Sequence, residues 1–254
     1  MSRSARLLLL EALCPVALVG VLWMWSAHAD AFFFPPLSSI FKAFNSVWLG
    51  PGLMNDAVPS LSRWAIAYAI ATGLGVAVGV PLGLSPTARR VLGPVMEFIR
   101  ATPPPAILPI AVILLGIGDT MKISIIVLVS IFPILISAAD GVAEVHSTVR
   151  DVAKTYRIPF HAELFRILLP AASPRIFAGL RTSSTLALVM IVLSEMFGST
   201  NGIGYRILVS LRSFSIPEMW SGVILIGLLG YGINLFFGWV ERRSLSWHHS
   251  VRDE

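Results

Sequence analysis

Arg100 and Glu195 are charged side chains set inside stretches that are otherwise apolar. An ionisable group at membrane depth has no partner in hydrocarbon, so it marks a binding or pathway position by default. An arginine in such a place suits an anion, and its chemistry is that of holding a solute rather than breaking a bond. Asp140 and Arg181 are the other charges in or beside apolar stretches. Asp140 stands at the end of one, and Arg181 is a turn or two from the basic side, within reach of water, so both read as structural.

Chemistry of other kinds has no foothold. There is no G-x-x-x-x-G-K-[ST] loop, and the lysines Lys42, Lys122 and Lys154 have no glycine-rich approach, so the chain does not cradle nucleotide phosphates in that way. His28, His146, His161, His248 and His249 lie outside the apolar centres, and neither H-E-x-x-H nor G-x-S-x-G occurs. No metal set and no catalytic residues are expected. Cys14 is the single cysteine, which excludes an intrachain disulfide.

The elements that must position Arg100 and Glu195 follow from composition. Of 254 residues 56% are hydrophobic and 13% charged, far from the balance of a soluble domain. Six apolar stretches approach the roughly 20 residues that cross a bilayer as helix. They run over 7–27, 64–84, 91–115 (interrupted), 123–139, 176–197 and 219–240. Lysines and arginines collect around Arg3, Arg6, Arg89, Arg90, Arg150, Lys154, Arg157, Arg166, Arg175, Arg242, Arg243 and Arg252. The opposite side holds only Lys42, Arg63, Lys122, Arg206 and Arg212. The positive-inside bias then places both termini and the loop near 151–170 in the cytoplasm. The net charge of +5 has that topological origin and needs no nucleic acid. "MSRSAR", an apolar run and "AHADA" resemble a signal peptide, but the run is long for one, so it is expected to stay as the first transmembrane helix.

Several interruptions carry information. "RATPPPAILPI" must disrupt backbone hydrogen bonding, so Arg100 to Pro109 either walls a water-filled path or is kinked for packing. Gly75, Gly79 and Gly83, four apart, permit close helix approach, within the chain or between subunits. Pro35 and Pro36 precede an aromatic-rich segment expected to lie along the membrane surface. The wettest stretch, "DVAKTYRIPFHAELFRILLP", reads as two short amphipathic helices separated by Pro159, the second ended by Pro170. One apolar face holds Val152, Ala153 and Tyr156; the other holds Phe160, Leu164, Phe165 and Leu168. Such helices are too short to stand alone, so lipid headgroups or a protein must cover them.

Asp151 and Ala153, the segment from Phe165 to Pro170 and "AGLR" at 178–181 together resemble the EAA loop of the membrane subunits of binding-protein-dependent ABC importers. "FFPPLSSIFKAF", "RATPPPAILPIAVILLGIGD", "LSEMFGSTNGIGYRI" and "GLLGYGINLFFGWVERRSLSW" extend the likeness over nearly the whole chain, and most resemble the nitrate, sulfonate and taurine permease branch. Arg157 stands where that family carries Gly, and Asn234 where an acid is expected.

The resemblance implies an all-α integral membrane protein of the type I ABC importer permease fold, one domain over 1–254, with an N-terminal helix at 7–27, five core helices over 64–240 and a coupling loop at 151–170. It implies that Asp151, Ala153, Tyr156, Arg157, Phe160, Phe165 and Pro170 meet the ATPase, and that Arg100, Pro103, Pro104, Pro109, Ser183, Ser184, Ser194 and Glu195 line the translocation path. ATP and Mg2+ would sit on two partner ATPase chains and no cofactor on this one. A second permease copy, a solute-binding protein and membrane lipid would complete the assembly in a bacterial inner membrane. An ATP-independent secondary transporter and a membrane scaffold are the rival readings; a secondary transporter normally shows paired broken helices, and one strongly broken span is visible here.

Overall fold

Apolar runs with few charges and helix-compatible prolines become long helices in a computed structural model that describes residues 13, 17–26, 28, 32–145 and 147–244. Cys14, Arg3, Arg6, His146, His248, His249 and Arg252 lie outside the described residues, as does most of the predicted first span. Its described part is a short helix α1, Ala17–Ser26. The amphipathic helix α2, Leu37–Trp48, follows Pro36 and buries Ile40, Val47 and Trp48. Trp48 Nε1 donates to Ser221 Oγ at 3.0 Å, tying α2 to the last helix.

Among the described residues, four helices are long and apolar enough to cross a membrane. They are α3 (Val58–Leu84, entered through a wide π-type turn at Leu53–Ala57), α6 (Asp119–Ala143), α9 (Leu169–Phe197) and α11 (Ile216–Ser244). Each is longer than its apolar stretch, because backbone hydrogen bonding continues past the last apolar residue. Between α3 and α6 the predicted interrupted span is two helices, α4 (Pro86–Ala101) and α5 (Pro104–Leu115), bent by 90° at their junction. Thr102 and Pro103 there hold extended backbone, as Pro103 and Pro104 demand. Among the described residues there are thus four full spans, or five counting the bent pair, and most of the predicted first span lies outside them.

The glycine stripe is internal. α3 packs along α6, and α6 along α9. A Cβ on Gly75 would fall 2.9 Å from the Ile134 side chain, one on Gly79 2.9 Å from Ala138 Cβ, and one on Gly83 2.9 Å from Val142 Cβ. The four-residue spacing therefore serves α3–α6 contact within one chain. The main core lies at this seam, with Ala67, Ala71, Met121, Ile125, Ile126, Ile134, Ala187 and Ile191 almost fully enclosed.

The loop between α6 and α9 holds α7 (Ser147–Thr155) and α8 (Phe160–Glu163). Pro170 does not end a helix, contrary to the sequence expectation. α8 passes through a π-type turn at Leu164–Leu168 into α9, giving one helical run from Phe160 to Phe197. The wide turn shifts the carbonyl register just before Pro170, so the ring and its missing N–H are accommodated. At the far end α10 (Ile203–Arg212) follows a loop at 198–202 and packs on α9 and α11.

Candidate functional site

Two polar constellations lie at opposite ends of the helices. At the α7–α8 end, α7 stops in a Schellman closure: Ile158 N–H donates to Ala153 O and Arg157 N–H to Lys154 O, each at 3.0 Å. Arg157 occupies the left-handed position of that closure at φ 51°, the conformation its place in the sequence foretold for a glycine. Pro159 then separates α7 from α8.

The predicted apolar faces divide. Ala153 is 1% exposed and Leu168 1%, and both pack into the body of the chain. Val152, Tyr156, Phe160 and Phe165 remain 50%, 77%, 62% and 67% exposed. Asp151 and Arg157 are exposed as well, and Pro170 is half-buried. The loop is therefore anchored through small and aliphatic residues and presents aromatic ones outward. A charged layer lies just above it, where Arg175 pairs with Glu144 at 3.2 Å and Arg89 with Asp140 at 2.7 Å.

At the α10 end stands a network of three cations and three carboxylates, buried at Glu195, Asp56, Arg63 and Lys122 and open to the surface at Asp119. Glu195, 0% exposed on α9, accepts from Ser60 Oγ at 2.7 and 2.9 Å, from the Arg63 guanidinium at 3.2 Å and from Gly204 N–H at 3.0 Å. Arg63 also pairs with Asp119 at 2.8 Å and donates to Asn201 Oδ1 at 2.7 Å. Lys122 pairs with Asp119 at 3.5 Å and donates to Ser199 Oγ at 2.8 Å. Asp56 accepts from Gly202 N–H at 3.0 Å and pairs with Arg206 at 3.1 Å. Ser60 Oγ further accepts from Ile203 N–H at 2.9 Å. The equal number of charges and the dense hydrogen bonding offset the desolvation of the four buried groups, Asp56, Arg63, Lys122 and Glu195.

Gly202 has φ 118° and closes directly over the Glu195 carboxylate, where any side chain would collide. Glu195 is thus the hub that joins α3, α6, α9 and α10. Sequence reasoning missed its partners: Arg63 and Lys122 read only as charges of the less basic side, and Ser60 and Asp119 give no signal.

The other predicted path residues are placed as follows. Ser183 Oγ donates to Ser130 O at 2.6 Å, Ser184 Oγ to Arg181 O at 2.7 Å and Ser194 Oγ to Ile191 O at 2.8 Å. All three serines are buried with their hydroxyls engaged on backbone. Arg100 ends α4, largely exposed, 3.9 Å from Glu97. It lines a recess of about 80 Å³ with Thr102, Pro104, Ile107, Phe132 and Leu186. Pro103 and Pro109 are exposed on the bent pair. No cluster of three or more potential metal ligands occurs among the described residues.

Residues 69–245 match the family described as binding-protein-dependent transport system inner membrane component. The chain is 30% identical over 225 residues to the taurine transport system permease protein of Escherichia coli (strain K12), covering 87% of this chain and 82% of that one. It is 28% identical over 216 residues to the putative aliphatic sulfonates transport permease protein of Bacillus subtilis (strain 168), covering 85% and 78%. With the nitrate import permease protein of Synechocystis sp. (strain ATCC 27184 / PCC 6803 / Kazusa) it shares 33% over 190 residues, covering 75% and 69%. The fold is also that of a chain of the MetNI methionine ABC transporter solved in inward-facing conformations, with TM-score 0.63 at 15% identity, covering 74% of this chain and 95% of that one.

Proposed function

The chain belongs to the inner membrane components of binding-protein-dependent transport systems and is a permease subunit of an ABC importer, and on that premise we propose that it forms the gated path for a small anionic solute. The relatives named for taurine, sulfonates and nitrate support an anion, and Arg100 beside the bend at Thr102 and Pro103 supplies positive charge to the recess there. Two partner ATPase chains bind ATP and Mg2+, a second permease copy completes the path, and a solute-binding protein delivers the solute at the α10 end. The assembly sits in a bacterial inner membrane with both termini of this chain in the cytoplasm.

The observation that carries the coupling part of this reading is the outward display of Tyr156, Phe160 and Phe165 on short helices anchored by Ala153 and Leu168. Large exposed aromatics at the end of a membrane helix bundle are the anchors a protein partner covers. The ATPase pair takes that surface, and its closure on ATP moves α7 and α8.

The test is purification of the tagged chain in mild detergent with mass spectrometry of what accompanies it, for wild type and a Tyr156→Ala, Phe160→Ala variant. A P-loop ATPase that accompanies the wild type and is lost from the variant is the expected result. Well-folded wild type that carries no ATPase would overturn the reading.

A further inference from the structure

Three helices at the α10 end enclose a groove that the described residues do not fill. It measures about 500 Å³. Val19 and Trp23 of α1, Ile40 and Phe44 of α2, and Ile224 and Leu228 of α11 form its three sides. Apart from the Trp23 indole N–H, the polar side chain of the lining is that of Asn45, near the end of α2.

The groove is built, because its helices are tied at the positions that would let them close on one another. Ser26 Oγ accepts from Leu37 N–H at 3.3 Å, joining the end of α1 to the start of α2. The other end of α2 is held by the bond from Trp48 to Ser221. Trp220 Nε1 donates to Phe33 O at 2.9 Å. The Phe34 ring stands edge-on to Trp25 and to Trp220, with centroids 5.2 and 5.0 Å away. A row of three aromatic rings therefore spaces α1 from α11 at this end.

Depth and size decide what occupies the groove. Leu228 is twelve residues past the start of α11, about 18 Å along it. The groove thus reaches well into a hydrocarbon core of about 30 Å. A water needs two to four polar partners, which this lining does not offer, and a bare void forfeits the dispersion contacts of every side chain around it. Two turns of a helix about 10 Å across occupy roughly 850 Å³, more than the groove holds, so a partner helix does not seat in it. A single alkyl chain does. The polar contacts sit beside it on α2: Lys42 and Asn45 are exposed, three residues apart and therefore neighbours on the helix surface. Lys42 forms no ion pair among the described residues. An ammonium and an amide N–H so placed are donors for phosphate oxygens.

We propose that the groove is the seat of one phospholipid, with an acyl chain between α1 and α11 and its phosphate held by Lys42 and Asn45. The lipid bridges the first and last described helices and is part of the packed structure, unlike the exchanging lipid around it. This inference is independent of the transported solute.

Trp23, in the groove wall, is the reporter. A phosphatidylglycerol brominated on one acyl chain quenches an indole that it touches. The experiment titrates this lipid into the full chain, washed free of lipid in maltoside detergent, for wild type, Trp23→Phe and the double variant Lys42→Ala, Asn45→Ala. Native mass spectrometry at saturation counts the lipid retained.

The expected result is a saturable quenching in wild type that Trp23→Phe lacks, one retained lipid per chain, and a half-quenching concentration raised tenfold or more in the double variant. Quenching that rises in proportion to added lipid without saturating is the behaviour of a bulk shell and would overturn the seat. A double variant within twofold of wild type would overturn it as well, since a phospholipid held there depends on both donors. Trp23 that brominated lipid never reaches, in a chain that migrates as a dimer, would give the groove to a second copy and overturn the lipid. Should the double variant misfold, saturation and the lipid count in wild type decide.

Discussion

Arg63 and Glu195 lie 132 positions apart in the chain and 3.2 Å apart in space, with Glu195 wholly enclosed. Their pairing fastens the start of α3 to the end of α9, and Asp119 and Asn201 extend the fastening to α6 and to the loop before α10.

Arg63→Met strands the Glu195 carboxylate without its charge partner and is expected to cost about 3–5 kcal/mol. Glu195→Gln costs less, because Arg63 keeps Asp119. The double variant is expected to be more stable than Arg63→Met alone. Thermal unfolding of the four proteins in one detergent measures the coupling; strictly additive effects would contradict a direct pair.

Gly79 and Gly73 lie on the same helix but face different surroundings. Gly79→Ala places a methyl 2.9 Å from Ala138 Cβ and against the α6 backbone, and is expected to destabilise by about 1–3 kcal/mol. Gly73→Ala meets nothing within 4 Å and gains helix propensity, so it is neutral or stabilising by up to about 1 kcal/mol. Melting temperatures of the two variants check the contrast.

Arg157→Gly keeps both bonds of the Schellman closure and removes the left-handed strain at φ 51°. The steric relief exceeds the extra entropy of an unfolded glycine, for a net gain of about 0.5–1 kcal/mol. Slower proteolysis between α7 and α8 is the readout.

Ala153 and Tyr156 are three positions apart with opposite exposure, 1% and 77%. Ala153→Leu overpacks an enclosed site and is expected to cost about 1–3 kcal/mol. Tyr156→Ala is expected to change stability by less than about 0.5 kcal/mol. Unfolding measurements on the isolated permease separate the two.

The four long helices were legible in the sequence because hydrocarbon requires long apolar runs with internally satisfied backbones. The 90° bend fell where three consecutive prolines placed an interruption. Pro170 misled, since a proline normally ends a helix and only the wide turn at Leu164–Leu168, invisible in composition, lets this one continue. Glu195 stood out as a charge at depth, but its role depends on Arg63 and Ser60, which come from another helix and carry no local signal. The glycine stripe announced a close contact without naming the neighbour; only tertiary packing identifies α6.

The unbroken run from Phe160 to Phe197 spans 38 residues, about 57 Å of helix. One end carries Phe160 and Phe165 in the open; the other carries Glu195 at the centre of the charged network. A force applied at Phe160 therefore enters a single rod with no intervening loop to absorb it, and is delivered to the network at the far end. If the aromatic end is pushed as proposed, the helix is a lever, and the five charges around Glu195 are the mounting it turns against.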